Sequence, residues 1–174
     1  MVGRPVSSRA CHSRAMSRGR ELPPAVRLRR AANLANGSTL LGLLVAAAGR
    51  ARIRPGPLGL LVGSGYRLPV PAARAFTLGD VVLHRYSPGW LEARPRLLAH
   101  EARHAVQWAC CLGVPMLPLY LAASGWSWLR AGDWATRNVF EVRAGLADGG
   151  YGPARDHRRI TPPQPSRRTR APAS

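Results

Sequence analysis

The chain has 174 residues, a length that suits one domain of ordinary size. Its 26 basic residues are all arginine, and against eight acidic residues they give a formal net charge of +18. Because arginine without lysine is also what a GC-rich coding sequence produces, this charge alone predicts no specific nucleic-acid partner. The three cysteines, Cys11, Cys110 and Cys111, are not spaced for a disulfide framework, so we expect a reducing, cytoplasmic location.

The arginines are concentrated near both ends of the chain. Residues 1–30 contain eight arginines and one acid, and residues 153–174 contain six arginines and one acid. Both segments are poor in large apolar side chains, so they cannot bury enough surface to offset the entropy of ordering. We therefore predict disordered tails at 1–30 and 153–174 and a single folded domain at 31–152. The tails are expected to be inert, with loose contact to anionic lipid or nucleic acid as the alternative.

The first half of the domain reads as a short helix followed by strands. Residues 31–49 form an apolar run that predicts a helix too short to cross a membrane. Two short strands are predicted around 52–54 and 60–62, separated by Pro and Gly, and a third lies within 75–86. We expect these strands to pair as a small antiparallel sheet.

The second half of the domain is predicted to be helical. A helix over 95–111 begins with proline at a favourable first-turn position, and Gly113 and Pro115 end it. A second apolar helix follows, and Gly149 with Gly150 is expected to end the last helix. The predicted fold class is α+β, a small antiparallel sheet packed against helices.

The uncharged segment 105–129 leaves an alternative open. It is long enough to cross a bilayer, although its glycines and prolines would break a helix in the middle. A buried helix end, a turn and a second helix is the preferred interpretation, with membrane contact as the alternative. Accordingly, Trp126, Trp128 and Trp134 are expected either in the core or at a bilayer interface.

The stretch "HEARH" places His100, Glu101 and His104 in the pattern H-E-x-x-H on the predicted helix 95–111. Side chains four residues apart on a helix point to the same side, so two imidazoles can share one tetrahedral Zn²⁺. The intervening glutamate can reach a water on the metal and act as its general base. The motif therefore predicts a zinc site with Glu101 as the catalytic base.

A third ligand must come from the few acids further along the chain. Glu141 is the first candidate, but Asn138 stands three residues before it, and this spacing is also that of a helix capping box. Asp133 is the second candidate, and it too could cap a helix instead. The residues alone leave ligand and cap open for Glu141.

Three separate blocks in residues 76–149 resemble small bacterial zincin-like proteins of the gluzincin type. They are "HEARHAVQW", "PMLPLYLAAS" and "GDWATRNVFEVRA". The resemblance implies a zincin-like domain in which His100, His104 and Glu141 bind Zn²⁺ and Glu101 is the base. It also implies that the strand near 75–86 lies along the substrate cleft.

Three other residues could lie close to such a site. Arg103 lies inside the motif, where it must point away from the metal to an acid such as Glu92, Asp133 or Asp148, or orient a substrate carboxylate. Gln107 could hydrogen-bond a ligating histidine or face water, and Tyr120 could stabilise an oxyanion or belong to the core. His84, at the end of a predicted strand, is expected at the surface.

These features predict a zinc-dependent metallopeptidase with a peptide or protein substrate. One alternative is a non-catalytic zinc-binding or scaffold module of the same fold. A second alternative is a basic, membrane-associated protein in which the motif is incidental. No specific nucleic-acid partner is predicted, and the sequence does not indicate an oligomeric state.

Overall fold

The computed structural model describes residues 22–150 of the chain. Helices and strands follow one another in a mixed order, with a sheet between two helical segments. In chain order they are α1 Pro24–Ala35, α2 Ser38–Ala48, β1 Arg52–Pro55, β2 Leu61–Ser64, β3 Ala75–Leu78, β4 Val81–His84, α3 Pro95–Cys110, α4 Met116–Ala131 and α5 Val139–Ala144. The predicted α+β fold class is confirmed.

The four strands form one sheet in the order β1-β2-β4-β3. The pairs β1–β2 and β3–β4 are antiparallel, with Ile53 opposite Gly63 and Phe76 opposite Leu83. The pair β2–β4 is parallel, so the prediction of an antiparallel sheet is wrong in this respect. After β2 the chain passes to the far edge of the sheet to form β3, and β4 then returns between them. The single strand predicted within 75–86 is this β3–β4 hairpin.

The core occupies both faces of the sheet, because alternate residues of β4 point to opposite sides. Val82 packs with Leu98 and Ala105 of α3, whereas Val81 and Leu83 pack on the opposite face, where Ala46 of α2 is also buried. All four residues of β4 are buried. The sheet therefore separates α2 from α3, and it presents β3 as an edge strand beside α3.

Helix α1 extends into the segment predicted as a disordered tail. It begins at Pro24, and its Arg29 forms a buried ion pair of 2.7 Å with Asp80. Asn33, also fully buried, donates a hydrogen bond to the carbonyl of Ala105 in α3. The tail prediction is therefore wrong for 24–30, because Arg29 finds a buried acid. Residues 1–21 of the first predicted tail and all of the second, 153–174, lie outside the described residues.

The predicted helix 31–49 is two helices that meet at Gly37, whose φ of +77° is easy only for glycine. Within residues 22–150, no single helix has the length and apolar character of a membrane span; α1 and α2, bent by 71°, meet that test only as a pair. The last helix, α5, ends at Ala144 with Gly145 as its C-cap. Its predicted end at Gly149 is therefore wrong.

Helix α4 is the predicted second apolar helix, but two of its three buried residues are serines. Buried Ser124 accepts a hydrogen bond from the Asn138 side chain, and buried Ser127 accepts one from the backbone N–H of Arg137. Trp126 and Trp128 are about half exposed, and Trp134, beyond the helix, is also exposed. The core location predicted as one alternative for these tryptophans is therefore wrong.

Candidate metal centre

The two histidines of the motif lie one turn apart in the middle of α3 and are both buried. Pro95 starts this helix, and the turn at Leu112 and Gly113 follows its end, as the sequence predicts. The Nε2 atoms of His100 and His104 lie 3.0 Å apart. The i, i+4 spacing therefore places the two Nε2 atoms side by side.

The opposite nitrogen of each imidazole is held by an acceptor. Nδ1 of His100 lies 3.1 Å from each of the carbonyl oxygens of Ala144 and Gly145, so it must carry the proton. Nδ1 of His104 lies 2.8 Å from Oε1 of Gln107, whose amide nitrogen donates to the Phe140 carbonyl. Both Nε2 atoms consequently turn a lone pair towards the space between them, which is the arrangement that metal ligation requires.

Glu141 supplies a carboxylate to the same space. Its Oε2 lies 3.3 Å from His100 Nε2, and its Oε1 lies 3.5 Å from His104 Nε2. Oε1 also accepts a hydrogen bond of 2.5 Å from the Tyr120 hydroxyl. The Glu141 carboxylate therefore lies beside both imidazoles, and its role as a metal ligand stays a prediction.

The capping alternatives for the two candidate acids have separate outcomes. Asn138 does cap α5, since its side chain accepts from the N–H of Phe140. However, the N–H of Asn138 donates to the carbonyl of Ala135 and not to Glu141, so the reciprocal half of a capping box is missing. Asp133 accepts from the N–H groups of Ala135 and Thr136, as a local cap, and is not part of the cluster.

The three donor groups fit a metal ion of zinc's size. In a tetrahedral site with bonds of 2.0–2.1 Å, ligand atoms lie about 3.3–3.4 Å apart. The Nε2–Nε2 separation of 3.0 Å and the 3.3 Å from His100 Nε2 to Glu141 Oε2 are near this spacing, and His104 Nε2 lies 3.5 Å from the other carboxylate oxygen, Oε1. Glu141 Oε2 is buried without a hydrogen-bond partner within residues 22–150, and a cation would satisfy it. Two imidazoles with one carboxylate suit Zn²⁺, whose identity here stays a prediction.

The electrostatics of the cluster favour a cation at its centre. Burial by itself would raise the pKa of Glu141, but the adjacent His100 and His104 imidazoles and the Tyr120 hydroxyl outweigh burial and hold that pKa far below its ordinary value. Burial would lower the pKa of His100, yet Glu141 and Glu101 raise it above its ordinary value. Glu141 is therefore ionised, and its negative charge would attract a cation to the space between the carboxylate and the two imidazoles.

Glu101 lies beside this cluster as a second buried carboxylate, only 3% exposed. The hydroxyl of Thr77, in the edge strand β3, donates to its Oε2 over 2.6 Å. Burial raises the pKa of Glu101, against the lowering effects of His104 and Thr77. The sequence had not indicated Thr77, because its role depends on the packing of β3 against α3.

Arg103 points away from the candidate metal position. Its guanidinium donates to the Ala144 carbonyl over 2.6 Å and to Asp148 over 2.8 Å. Of the three acids predicted as possible partners, Glu92, Asp133 and Asp148, Arg103 forms its ion pair with Asp148. The guanidinium lowers the pKa of that carboxyl. Arg103 therefore ties the segment after α5 to α3.

Gly149 has a role at the site that was not predicted. A Cβ on this residue would lie 2.6 Å from Cε1 and 2.9 Å from Nε2 of the His100 ring. Such distances are well inside normal contact, so only glycine lets the segment after α5 close over this imidazole. A Gly-Gly pair signals a turn in any sequence, and nothing local distinguishes this close approach.

The surface location predicted for His84 is wrong. His84 is 1% exposed, because β4 is an interior strand and Trp90 and Tyr86 cover its last residue. Neither ring nitrogen has a hydrogen-bond partner among the described residues. Burial lowers the pKa of His84, and Glu92 opposes this effect only in part. His84 is not part of the metal cluster.

A cavity of about 740 Å³ opens beside the cluster. Its polar lining includes His100, Glu101, His104, Tyr120 and Glu141, together with Thr77 and Arg74. The rest is largely apolar and is formed by α2, the segment leading into β3, and α4, with Leu41, Val45, Leu68, Phe76, Leu117 and Leu121 among its lining residues. The candidate ligands therefore face a space large enough for an apolar group of a substrate.

The chain was compared with protein-family models, curated proteins and solved structures. None of them matches. The resemblance to gluzincin-type proteins consequently remains an expectation from the sequence, and the function must be argued from the geometry of this site.

Proposed function

We propose that this protein is a zinc-dependent hydrolase of the gluzincin type that acts on peptide bonds. One observation carries the proposal. Two imidazole lone pairs and an ionised carboxylate converge on one point, and a second buried carboxylate stands beside them in an apolar cavity. Three protein ligands with one open position are the arrangement of catalytic zinc sites, whereas structural sites are closed by a fourth ligand.

Each residue of the cluster has a role in this proposal. His100, His104 and Glu141 would hold Zn²⁺, which when bound acts as a Lewis acid on a carbonyl oxygen and activates water. Glu101 would take a proton from the attacking water and then give it to the leaving amine. Thr77 holds Oε2 of Glu101, so the carboxylate is fixed before substrate arrives.

The cavity and the edge strand indicate how a peptide would lie. Because β3 is at the edge of the sheet, an extended peptide could align beside it, as strands add to sheet edges in other complexes. An apolar side chain of that peptide would enter the cavity between α2 and α4. We therefore propose peptides with a large apolar residue next to the cleaved bond, in the cytoplasmic location expected from the cysteines.

A non-catalytic zinc-binding module of the same fold is the second candidate. The observation that favours it is the engagement of Glu101, which is almost fully buried and already accepts a hydrogen bond from Thr77. In such a module the same three residues would hold the metal and Glu101 would serve only packing.

Metal content and hydrolysis should be measured together on the full chain, on Glu101→Gln and on Glu141→Gln. We expect about one zinc per chain in the wild type and in Glu101→Gln, and loss of zinc in Glu141→Gln. Hydrolysis of a peptide library should fall by about 10²–10⁴-fold in Glu101→Gln. Absence of zinc from the wild type would overturn both candidates. Zinc without hydrolysis in the wild type would leave only the second.

A further inference from the structure

Helix α4 has the reverse of the usual amphipathic pattern. Its inward residues include buried Ser124 and Ser127, while Leu121, Trp126 and Leu129 on its outward side are 68%, 53% and 72% exposed. The outward side of α4 is uncharged up to Arg130, which is exposed in the last turn of the helix. Surface helices normally bury the apolar side, so an apolar face of this extent marks a surface that contacts something other than water.

Two neighbouring turns extend this apolar surface. The α1–α2 turn touches the α3–α4 turn, because the Asn36 amide reaches the Trp108 carbonyl and a Cβ on Gly113 would lie 2.8 Å from the Asn36 carbonyl oxygen. The side chains exposed at these turns are also apolar: Leu34, Leu40, Leu112 and Val114. We refer to these four residues and the outward side of α4 together as the apolar surface.

The net positive charge of the described residues, with one arginine at the border of the apolar surface, favours an anionic partner. Residues 22–150 contain fifteen arginines and six acids, and three of those acids, Asp80, Glu101 and Glu141, are buried. At the end of α4 the Arg130 guanidinium lies 4.4 Å from the centre of the Trp126 ring. Tryptophan beside arginine at the border of an apolar face is typical of helices that lie in the headgroup region of a membrane.

We propose that the apolar surface docks this protein on an anionic phospholipid bilayer without crossing it. The outward leucines of α4 enter the acyl region, the tryptophans lie at the headgroup level, and the arginines contact the phosphates. A protein partner is the less favoured occupant, because the surface has few polar groups that would fix one orientation. Leu117 and Leu121 belong both to this surface and to the cavity lining, so the cavity opens next to the bilayer.

Vesicle binding by the purified full chain tests the proposal. The probes are vesicles of phosphatidylcholine alone and with about one third phosphatidylglycerol, each with and without bromine on the acyl chains. All five tryptophans lie within residues 22–150, so quenching by the brominated chains reports burial of the folded domain and not of the arginine-rich ends. We expect sedimentation with the anionic vesicles, quenched tryptophan fluorescence, and much weaker binding to phosphatidylcholine alone.

Variants locate the contact. The double variant Leu119→Gln/Leu129→Gln should weaken binding at least tenfold and abolish quenching, while Leu58→Ser, an exposed leucine in the turn after β1, should bind like the wild type. Sedimentation of the wild type without quenching would show attachment by charge alone and overturn the proposal. So would a wild type that ignores vesicles, or one that forms a dimer which the double variant dissociates. Zinc content should be equal in all variants, which separates this outcome from that of the proposed function.

Discussion

Replacement of Gly149 by alanine should weaken zinc binding at the proposed metal site without altering any of the proposed ligands. The new Cβ would lie 2.6 Å from Cε1 of His100, about 0.8 Å short of ordinary contact at 3.4 Å. The backbone of Gly149 is outside the left-handed region, so alanine is not excluded by its own φ. Either the His100 ring or the segment that carries Gly149 must move by roughly this amount. Because metal–ligand distances tolerate only about ±0.2 Å, a shift of this size should weaken zinc binding by about 10- to 100-fold.

The assay is competition for zinc against a chromophoric chelator, with circular dichroism of each protein as a check on folding. Gly125→Ala is the matched control, since a Cβ there meets nothing within 4 Å, and its zinc affinity should equal that of the wild type. A Gly149→Ala protein that is folded and binds zinc as tightly as the wild type would refute the reasoning that this glycine is needed for the closure over His100.

Two further predictions concern stability. Arg29→Met should lower the free energy of unfolding in urea by about 3–5 kcal/mol, because it leaves the Asp80 carboxylate buried and unpaired. The control Arg30→Met, on the exposed side of α1, should change it by less than about 0.5 kcal/mol. Equal effects of the two substitutions would contradict the ion pair. His84→Phe should reduce the decrease in the free energy of unfolding between neutral and acid pH. Burial lowers the pKa of His84 in the folded state, so the unfolded chain binds more protons as the pH falls below about 6.5, and wild-type stability decreases there. Unfolding at pH 7.5 and 5.5 should show a smaller difference for the variant, and equal differences would count against the buried neutral imidazole.

The helix that carries the motif was predictable because its signals are local. Pro95 and Gly113 bound α3 by their own backbone preferences, and the i, i+4 spacing of the histidines fixes their common side on any helix. The prediction that Glu141 lies beside the histidines depended on the family resemblance. From the residues alone, a capping box with Asn138 explained the position of Glu141 equally well.

The remaining features depend on partners far along the chain. The parallel pairing of β2 with β4 arises from the path of the segment between β2 and β3, which no strand pattern encodes. The sequence did not predict the start of helix α1, because its arginines are typical of an exposed tail. Arg29 is buried only because it pairs with Asp80, 51 positions further along the chain. The role of Thr77 likewise exists only once β3 lies against α3.

The direction in which α4 faces could not be predicted for a different reason. Apolar residues lie on nearly every side of the helix 116–131, so their spacing does not indicate which side faces the core. Its two serines decide the orientation, because each finds a hydrogen-bond partner in the segment 137–138. Satisfaction of buried polar groups has here outweighed burial of leucine.

The three candidate ligands also determine how an ion would affect the stability of the whole domain. Glu141 lies 37 positions after His104, with all of α4 between them. An ion held by both would act as a cross-link that closes this loop, and only the folded chain offers it all three ligands. The melting temperature would then rise with free zinc, with a gain of about 2.7 kcal/mol at a hundred times the dissociation constant. Chelation would loosen α5 first, since its six residues contribute just two buried side chains to the fold.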